Sequence, residues 1–195
     1  MVGVRFFLDT NALMYLDGLK GSDLQIFKVQ MEKNKSKLST THIQIDEWKL
    51  REEEQDYRRK IEKVLTSLKN KGIVIELETP NLFVVGITRI GFGRIGNEEL
   101  GKVYDELRKE VEKCEKTKGR SKTPLNIACD ATIAVSSLGH DFFITTDECL
   151  FTSWVSVICR YTMLGRQFKI PKIIYARRSP ELLAKQILGL LIGHP

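Results

Sequence analysis

The chain has 195 residues, of which 42% are hydrophobic and 29% charged, with a formal net charge of +6. That length supports one α/β domain with a real core, and the composition excludes a disordered chain. No apolar run has the length of a membrane span, and the N-terminus lacks a charged-then-apolar signal layout. The expected location is therefore the cytoplasm. Positive charge suits a polyanionic partner, although it speaks to association and not to fold. Cys114, Cys129, Cys149 and Cys159 show no C-x-x-C spacing, and three of them lie in apolar helical patterns. They are expected to be reduced packing residues rather than a zinc or disulfide framework.

Val2, Val4, Phe6, Phe7 and Leu8 open the chain as a short apolar run, the signature of a parallel strand covered on both faces. The run ends at Asp9. A carboxylate there is costly to dehydrate unless a cation or hydrogen bonds meet it. The carboxyl ends of strands in open α/β sheets are also where ligands bind. A short helix follows, closed near Gly18. The capping-box pattern Ser22-Asp23-Leu24-Gln25 predicts a second helix to about Lys33. A brief strand over 37–40 and a second capping box, Thr41-His42-Ile43-Gln44, precede a long helix. Its predicted apolar face is Tyr57, Ile61, Val64, Leu65 and Leu68.

Ile73 to Leu77 is the next strand, which 82–85 extends or pairs with, followed by a glycine-rich stretch from Gly86 to Gly96. Leu100, Val103, Tyr104, Leu107 and Val111 then mark an amphipathic helix. The basic loop from Lys116 to Thr123 ends at an N-cap followed by Pro124 in the first helical position. The helix it starts carries Ile127, Ala128, Ala131, Ala134, Val135 and Leu138 and should be deeply buried. Phe142 to Thr146 is a strand ending at Asp147, and 150–164 reads as a helix stopped at Gly165. Ile170 to Tyr175 is a last strand, placed at an edge by Pro171, and Ser179-Pro180 caps a final helix. Strands alternating with helices predict a three-layer α/β/α domain on a parallel sheet. The whole of 1–195 reads as one domain, with an elongated helical and glycine-rich segment at about 48–122.

Asp147 repeats the logic of Asp9. Asp130 lies in the second turn of an otherwise small and apolar helix, where a charge is rarely buried unless paired or bound to metal. Asn126, four residues earlier, shares its face. Carboxylates converging on one point repel one another, and a hard divalent cation resolves that repulsion. Metal-assisted hydrolysis of a phosphodiester needs no further nucleophile from the protein.

Phe7-Leu8-Asp9-Thr10-Asn11, Ile45-Asp46-Glu47-Trp48, the segment from Asn126 to Ala134 around Asp130, and Thr145-Thr146-Asp147 together resemble the four acidic motifs of PIN-domain nucleases. The resemblance runs from about residue 2 to 176 and implies a parallel sheet in the order 3-2-1-4-5. It implies cleavage of RNA with Mg²⁺ or Mn²⁺, with Asp9, Glu47, Asp130 and Asp147 as the catalytic acids. Asp9, Asp130 and Asp147 would hold the metal, Glu47 would complete the cluster or orient water, and Asn11, Asn126 and Thr146 would support it. Frequent homodimers, and an antitoxin-type protein partner, also belong to that family. The long interval between Glu47 and Asp130 departs from its compact members.

Other readings stand beside these. Asp9 suits an N-cap and Asp147 a turn, while Asp46 is as acidic as its neighbour Glu47. Gly91-Phe92-Gly93-Arg94-Ile95-Gly96 matches a dinucleotide fingerprint, but no buried strand with a terminal acid follows it. A surface loop fits better, with Arg89 and Arg94 offered to phosphates. Lys116, Lys118, Arg120 and Lys122 form a second candidate RNA contact or an ordinary solvated loop. A non-catalytic PIN-like module binding RNA or protein, and an aspartate-dependent phosphatase, are the competing functions. The phosphatase is disfavoured by Asn11, where a second acid is expected.

Overall fold

Arg5–Leu8 (β1) is the centre of the sheet, and its alternating side chains feed two separate cores. The computed structural model describes residues 3–41, 55–81, 84, 98–161 and 168–192, with only the backbone of 55–60. Elements are numbered over these residues. After β1 come Thr10–Asp17 (α1), Gly21–Lys33 (α2), Lys37–Thr41 (β2), Gln55–Asn70 (α3) and Ile75–Glu78 (β3). Then follow Glu98–Thr117 (α4), Pro124–Ser136 (α5), Phe142–Thr145 (β4), Glu148–Ile158 (α6), Lys172–Tyr175 (β5) and Pro180–Ile192 (α7).

All the pairings are parallel, in the order β3-β2-β1-β4-β5. This is the three-layer α/β/α arrangement, with the strand order that the resemblance implied. Phe6 sits opposite Leu38 on one side of β1 and Phe142 on the other. The chain builds outward from β1 through β2 and β3, then returns to lay β4 and β5 on the opposite side. Between β1 and β4 the order reverses, and such a switch point opens a crevice at the carboxyl ends of the strands.

Phe7 and Phe143 point into a core shared with α4, α5 and α6. Phe6, Leu8, Phe142 and Ile144 point the other way, among residues of α1, α2, α3 and α7. Phe6 stacks on Phe142 at 5.2 Å between ring centroids, and Phe143 meets Trp154 edge-on at 5.9 Å. Burial of each such ring stabilises the fold by about 1.5–3 kcal/mol, so β1 and β4 are held as one unit. Trp154 is a core residue.

At the amino side of that unit a polar cluster ties β3 to the rest. Glu78 pairs with Arg5 at 2.8 Å and with His140 Nε2 at 3.0 Å, while His140 Nδ1 donates to the Ser137 carbonyl at 2.9 Å. Burial raises the Glu78 carboxyl, but the His140 and Arg5 contacts outweigh it and bring it down to about 2. Asp141 belongs to this side too. Its carboxylate accepts from the Arg5 N–H at 2.8 Å, away from the carboxyl edge.

Four expectations need correction or trimming. Helix α2 starts at Gly21 with Lys20 as a cap that makes no side-chain bond, so the Ser22 capping box is not its device. Helix α6 ends at Ile158, well before Gly165. Strand β3 begins at Ile75 rather than Ile73, and Val74 is largely exposed. Most consequential, Cys114 and Cys149 form a disulfide, with Cα atoms 5.6 Å apart, while Cys129 and Cys159 take part in no disulfide. The two partners lie 35 residues apart, and only the packing of α4 on α6 brings them together. Residues 82–83, 85–97 and the second capping box at 41–44 lie wholly or largely outside the described residues, as do Trp48 and the G-x-G-x-x-G stretch.

Candidate active site at the carboxyl edge of the sheet

Asp9 leaves β1 with its backbone N–H still on the sheet, donating to the Ile144 carbonyl at 3.0 Å. Its carboxylate is 5% exposed and divided between two tasks. Oδ1 accepts the Ala12 N–H at 2.6 Å and caps α1. Oδ2 accepts the Thr146 N–H at 3.1 Å and the Thr145 hydroxyl. The cap and the site are therefore one residue, not rival readings. Burial pushes the Asp9 carboxyl up to about 6, against hydrogen bonds from Thr145, Ala12 and Thr146 that lower it, with the charge of Asp147 adding to the rise.

Asp147 is built in the same way at the end of β4. Oδ1 accepts the Leu150 N–H at 2.9 Å and caps α6, which leaves Oδ2 for the site. Asp130 reaches the same place from α5, whose N-terminus is set by Thr123. The Thr123 hydroxyl accepts the Asn126 N–H at 3.2 Å, and Pro124 follows in the first turn. Asp130 is pushed up to about 7, by burial first, and by the charges of Asp147 and Asp9 against the pull of Lys122. Those mutual effects show that the three aspartates share one electrostatic neighbourhood.

Lys122 stands among them. Its ammonium is 2.6 Å from Asp130 Oδ2 and also bonds Asp147 Oδ2. Burial disfavours its charge, but the two aspartates more than compensate and raise its pKa far above the usual lysine value. The local chain explains how a loop lysine gets there. Helix α4 closes with the Gly119 N–H on the Lys116 carbonyl and the Arg120 N–H on the Glu115 carbonyl, a Schellman ending that needs the left-handed φ of +65° at Gly119. That turn reverses the chain, and Thr123 then starts α5. Lys122 is fixed between the two caps with its side chain inward.

Asp147 lies in this cluster with its pKa lowered, since the ion pair with Lys122 and the bonds from Leu150 and Cys149 together outweigh burial, the largest single effect. Glu115 approaches from the end of α4. It is 2% exposed, with one carboxylate oxygen 3.9 Å from the Lys122 nitrogen. The adjacent Cys114 is tied by its disulfide to Cys149, two residues past Asp147, so the end of α4 is pinned beside the start of α6.

The other predicted residues fall in three groups. Thr146 supports Asp9 through its backbone, and Asn126 sits half-buried one turn before Asp130, whereas Asn11 is exposed on α1. The expected basic loop begins later than Lys116, which sits exposed in the last turn of α4 and pairs with Glu112 at 2.7 Å. Lys118 and Arg120 are exposed on the turn that leads to Lys122, with Lys118 paired to Glu148 at 2.6 Å. Lys122 differs from Lys116 and Lys118 in that its ammonium is shared between two aspartates rather than paired with one glutamate. Glu47, Arg89 and Arg94 lie outside the described residues. Sequence reasoning missed the Thr145 hydroxyl, Glu115 and the inward placement of Lys122. Glu115 did leave a trace, for it continues the four-residue stripe Val103, Leu107, Val111 on the buried face of α4.

The donor set is all oxygen, and a cation already sits within it, the ammonium of Lys122. Among the described residues no three Asp, Glu, His or Cys side chains are grouped so as to hold a metal ion together. Asp130 and Asp147 nevertheless present one oxygen each to a single cation, and Asp9 shares their field. A hard divalent ion suits such ligands.

Fold and site together define a three-layer α/β/α domain with a cluster of aspartates at the switch point of its parallel sheet. No family model and no curated protein matches the chain. Among solved structures it is similar to a chain in the crystal structure of VapBC2 from Rickettsia felis bound to a DNA fragment from their promoter. The likeness spans 88% of this chain and 99% of that one, at 12% identity and a TM-score of 0.39. No helix among the described residues is long and apolar enough to cross a membrane.

Proposed function

We propose that the protein is a divalent-metal-dependent nuclease that hydrolyses RNA phosphodiesters. One observation carries the reading: Asp130 and Asp147, from distant parts of the chain, share one ammonium at the sheet's switch point, and Asp9 at the end of β1 lies within their electrostatic reach. Structural ion pairs do not require three convergent acids at the edge where α/β folds bind ligands. In this reading Asp130 and Asp147 hold Mg²⁺ or Mn²⁺ where the ammonium now lies, with Asp9 and Glu47 as the remaining acids. The bound ion supplies Lewis-acid polarisation of a phosphate and a water of lowered pKa.

The chain's own groups do the rest. Thr145 and the Thr146 N–H hold the inner oxygen of Asp9, so its carboxylate cannot turn away from the pocket. The Ala12 and Leu150 N–H groups fix the other faces of Asp9 and Asp147 in the same manner. Such preorganisation removes reorganisation cost when charge develops on the phosphate. Lys116 in the last turn of α4, with Lys118 and Arg120 on the turn that follows, would take the backbone of a polyanion. The competing reading, a non-catalytic module, draws on the same lysine: an ammonium already neutralises two of the acids.

Cleavage of end-labelled RNA decides between them. Activity with Mn²⁺ or Mg²⁺ is expected to vanish with EDTA and to fall at least about tenfold in Asp9→Asn, since even outer-shell partners of a metal site are worth about 10–100-fold. Binding of the RNA without turnover in either metal would establish the module instead.

A further inference from the structure

Glu115 is a carboxylate that the site as described does not use. It is 2% exposed, and neither of its side-chain oxygens has a hydrogen-bond partner among the described residues. Its Oε1 is 3.9 Å from the Lys122 nitrogen, beyond hydrogen-bond reach yet on the same ammonium that Asp130 holds at 2.6 Å. A buried carboxylate left in that condition is costly, and proteins pair such groups. Three carboxylates thus face one ammonium, and two of them have it.

We infer that Glu115 is the second seat of Lys122: when a divalent cation takes the place between Asp130 and Asp147, the ammonium moves onto Glu115. The inference rests on the metal-dependent reading above and assigns a role that reading leaves open. The movement is short, because the ammonium already lies at the edge of Glu115's reach. It is also directed. The Schellman turn at Gly119 and the Thr123 cap hold both ends of the lysine's loop, while the Cys114–Cys149 disulfide keeps Glu115 beside Asp147. Without a second seat, cation entry would leave a displaced ammonium next to a divalent ion in a partly buried pocket. Like charges so placed repel strongly at low effective dielectric. Glu115 is therefore a positioning residue, acting on the cation through Lys122.

A double-mutant cycle read by calorimetric Mn²⁺ titration of the full chain tests this, with Glu115→Gln, Lys122→Met and the pair together. Glu115→Gln is expected to weaken Mn²⁺ binding by about tenfold in the wild-type background, the lower end for an outer-shell partner. In the Lys122→Met background the same change should shift it by less than about twofold, because there is no ammonium left to seat. Equal weakening in both backgrounds would make Glu115 a ligand or a source of field and overturn the second-seat role. No weakening in the wild-type background overturns it as well. Failure of all four proteins to bind Mn²⁺ would instead remove the metal reading, and this inference with it. Should Glu115→Gln not fold, ¹⁵N-lysine ammonium spectra of the wild type at saturating Mg²⁺ give the answer. A persistent, exchange-protected Lys122 signal is expected, and its loss to rapid exchange refutes the transfer.

Discussion

Replacing Asp130 by asparagine separates the electrostatic cost of the pocket from its use. Asp130 has an ordinary pKa of 3.8 and is pushed up to about 7 in the folded chain, chiefly by burial. Between those values the folded state holds a proton that the unfolded state has released. The contribution of Asp130 to stability is therefore fully present below pH 4 and is lost as pH rises through 7. A shift of that size corresponds to roughly 4 kcal/mol at about 1.4 kcal/mol per unit. Asp147 is shifted the other way by the shared Lys122, so a net effect of about 1–3 kcal/mol is expected for the coupled cluster. The asparagine side chain keeps the shape and never ionises. Thermal unfolding of the metal-free wild type and Asp130→Asn, followed by circular dichroism from pH 4 to 8, should give coincident midpoints at the acid end. At pH 8 the variant should be higher by roughly 3–8 °C for a chain of this size. Mn²⁺ at a hundred times its dissociation constant should add about 2.7 kcal/mol to the wild type at pH 8 and far less to the variant. A pH-independent difference between the two proteins, or a variant less stable at pH 8, would refute the claim that Asp130 is a destabilised, coupled acid.

Reduction of Cys114–Cys149, which closes a loop of 35 residues, should cost about 3–4 kcal/mol in denaturant unfolding on the chain-entropy account. A thiol count of four in the unreduced, unfolded protein would dispose of the bond itself. Glu78→Gln should cost about 1–3 kcal/mol at pH 7 by leaving Arg5 and His140 without their charged partner. Because the folded-state pKa of Glu78 is depressed to about 2 from 4.5, that contribution is present above pH 4.5 and lost as pH falls towards 2. The stability gap between wild type and variant should close over that window. Arg120→Ala should lower the slope of log affinity for RNA against log salt by about one while leaving Mn²⁺ binding unchanged, and an unaltered slope would take Arg120 out of the RNA path.

The regular elements were legible because their signals are local. The run at β1, the stripe of α4 and the Thr123-Pro124 start of α5 each say in a few residues what the chain does there. Asp9 and Asp147 were legible for the same reason, at the ends of apolar strands. What they hold was not, because a carboxylate has two oxygens and a sequence cannot apportion them. In both residues one oxygen caps a helix, while the other is held by Thr145 and Thr146 in Asp9 and by Lys122 in Asp147. The disulfide had no local signature at all, being made by the crossing of α4 and α6.

Lys122 and Glu115 show the harder case, where composition points the wrong way. In a run with Lys116, Lys118 and Arg120, a fourth cation reads as more of the same solvated loop. Its distinction comes from position: it follows a left-handed glycine and precedes an N-cap, so the backbone has no freedom to leave it outside. Glu115, in a helix with exposed Glu112 and Lys116 beside it, likewise reads as surface. Its spacing contradicts its charge. An acid in register with Val103, Leu107 and Val111 must be buried if the helix packs at all, and burial of an acid demands a cation. The cation it meets is the one that two other acids already hold. Under the proposed metal-dependent reading, a cluster with more carboxylates than its own lysine can satisfy would admit a second positive charge, and the geometry of Glu115 is where that excess becomes visible.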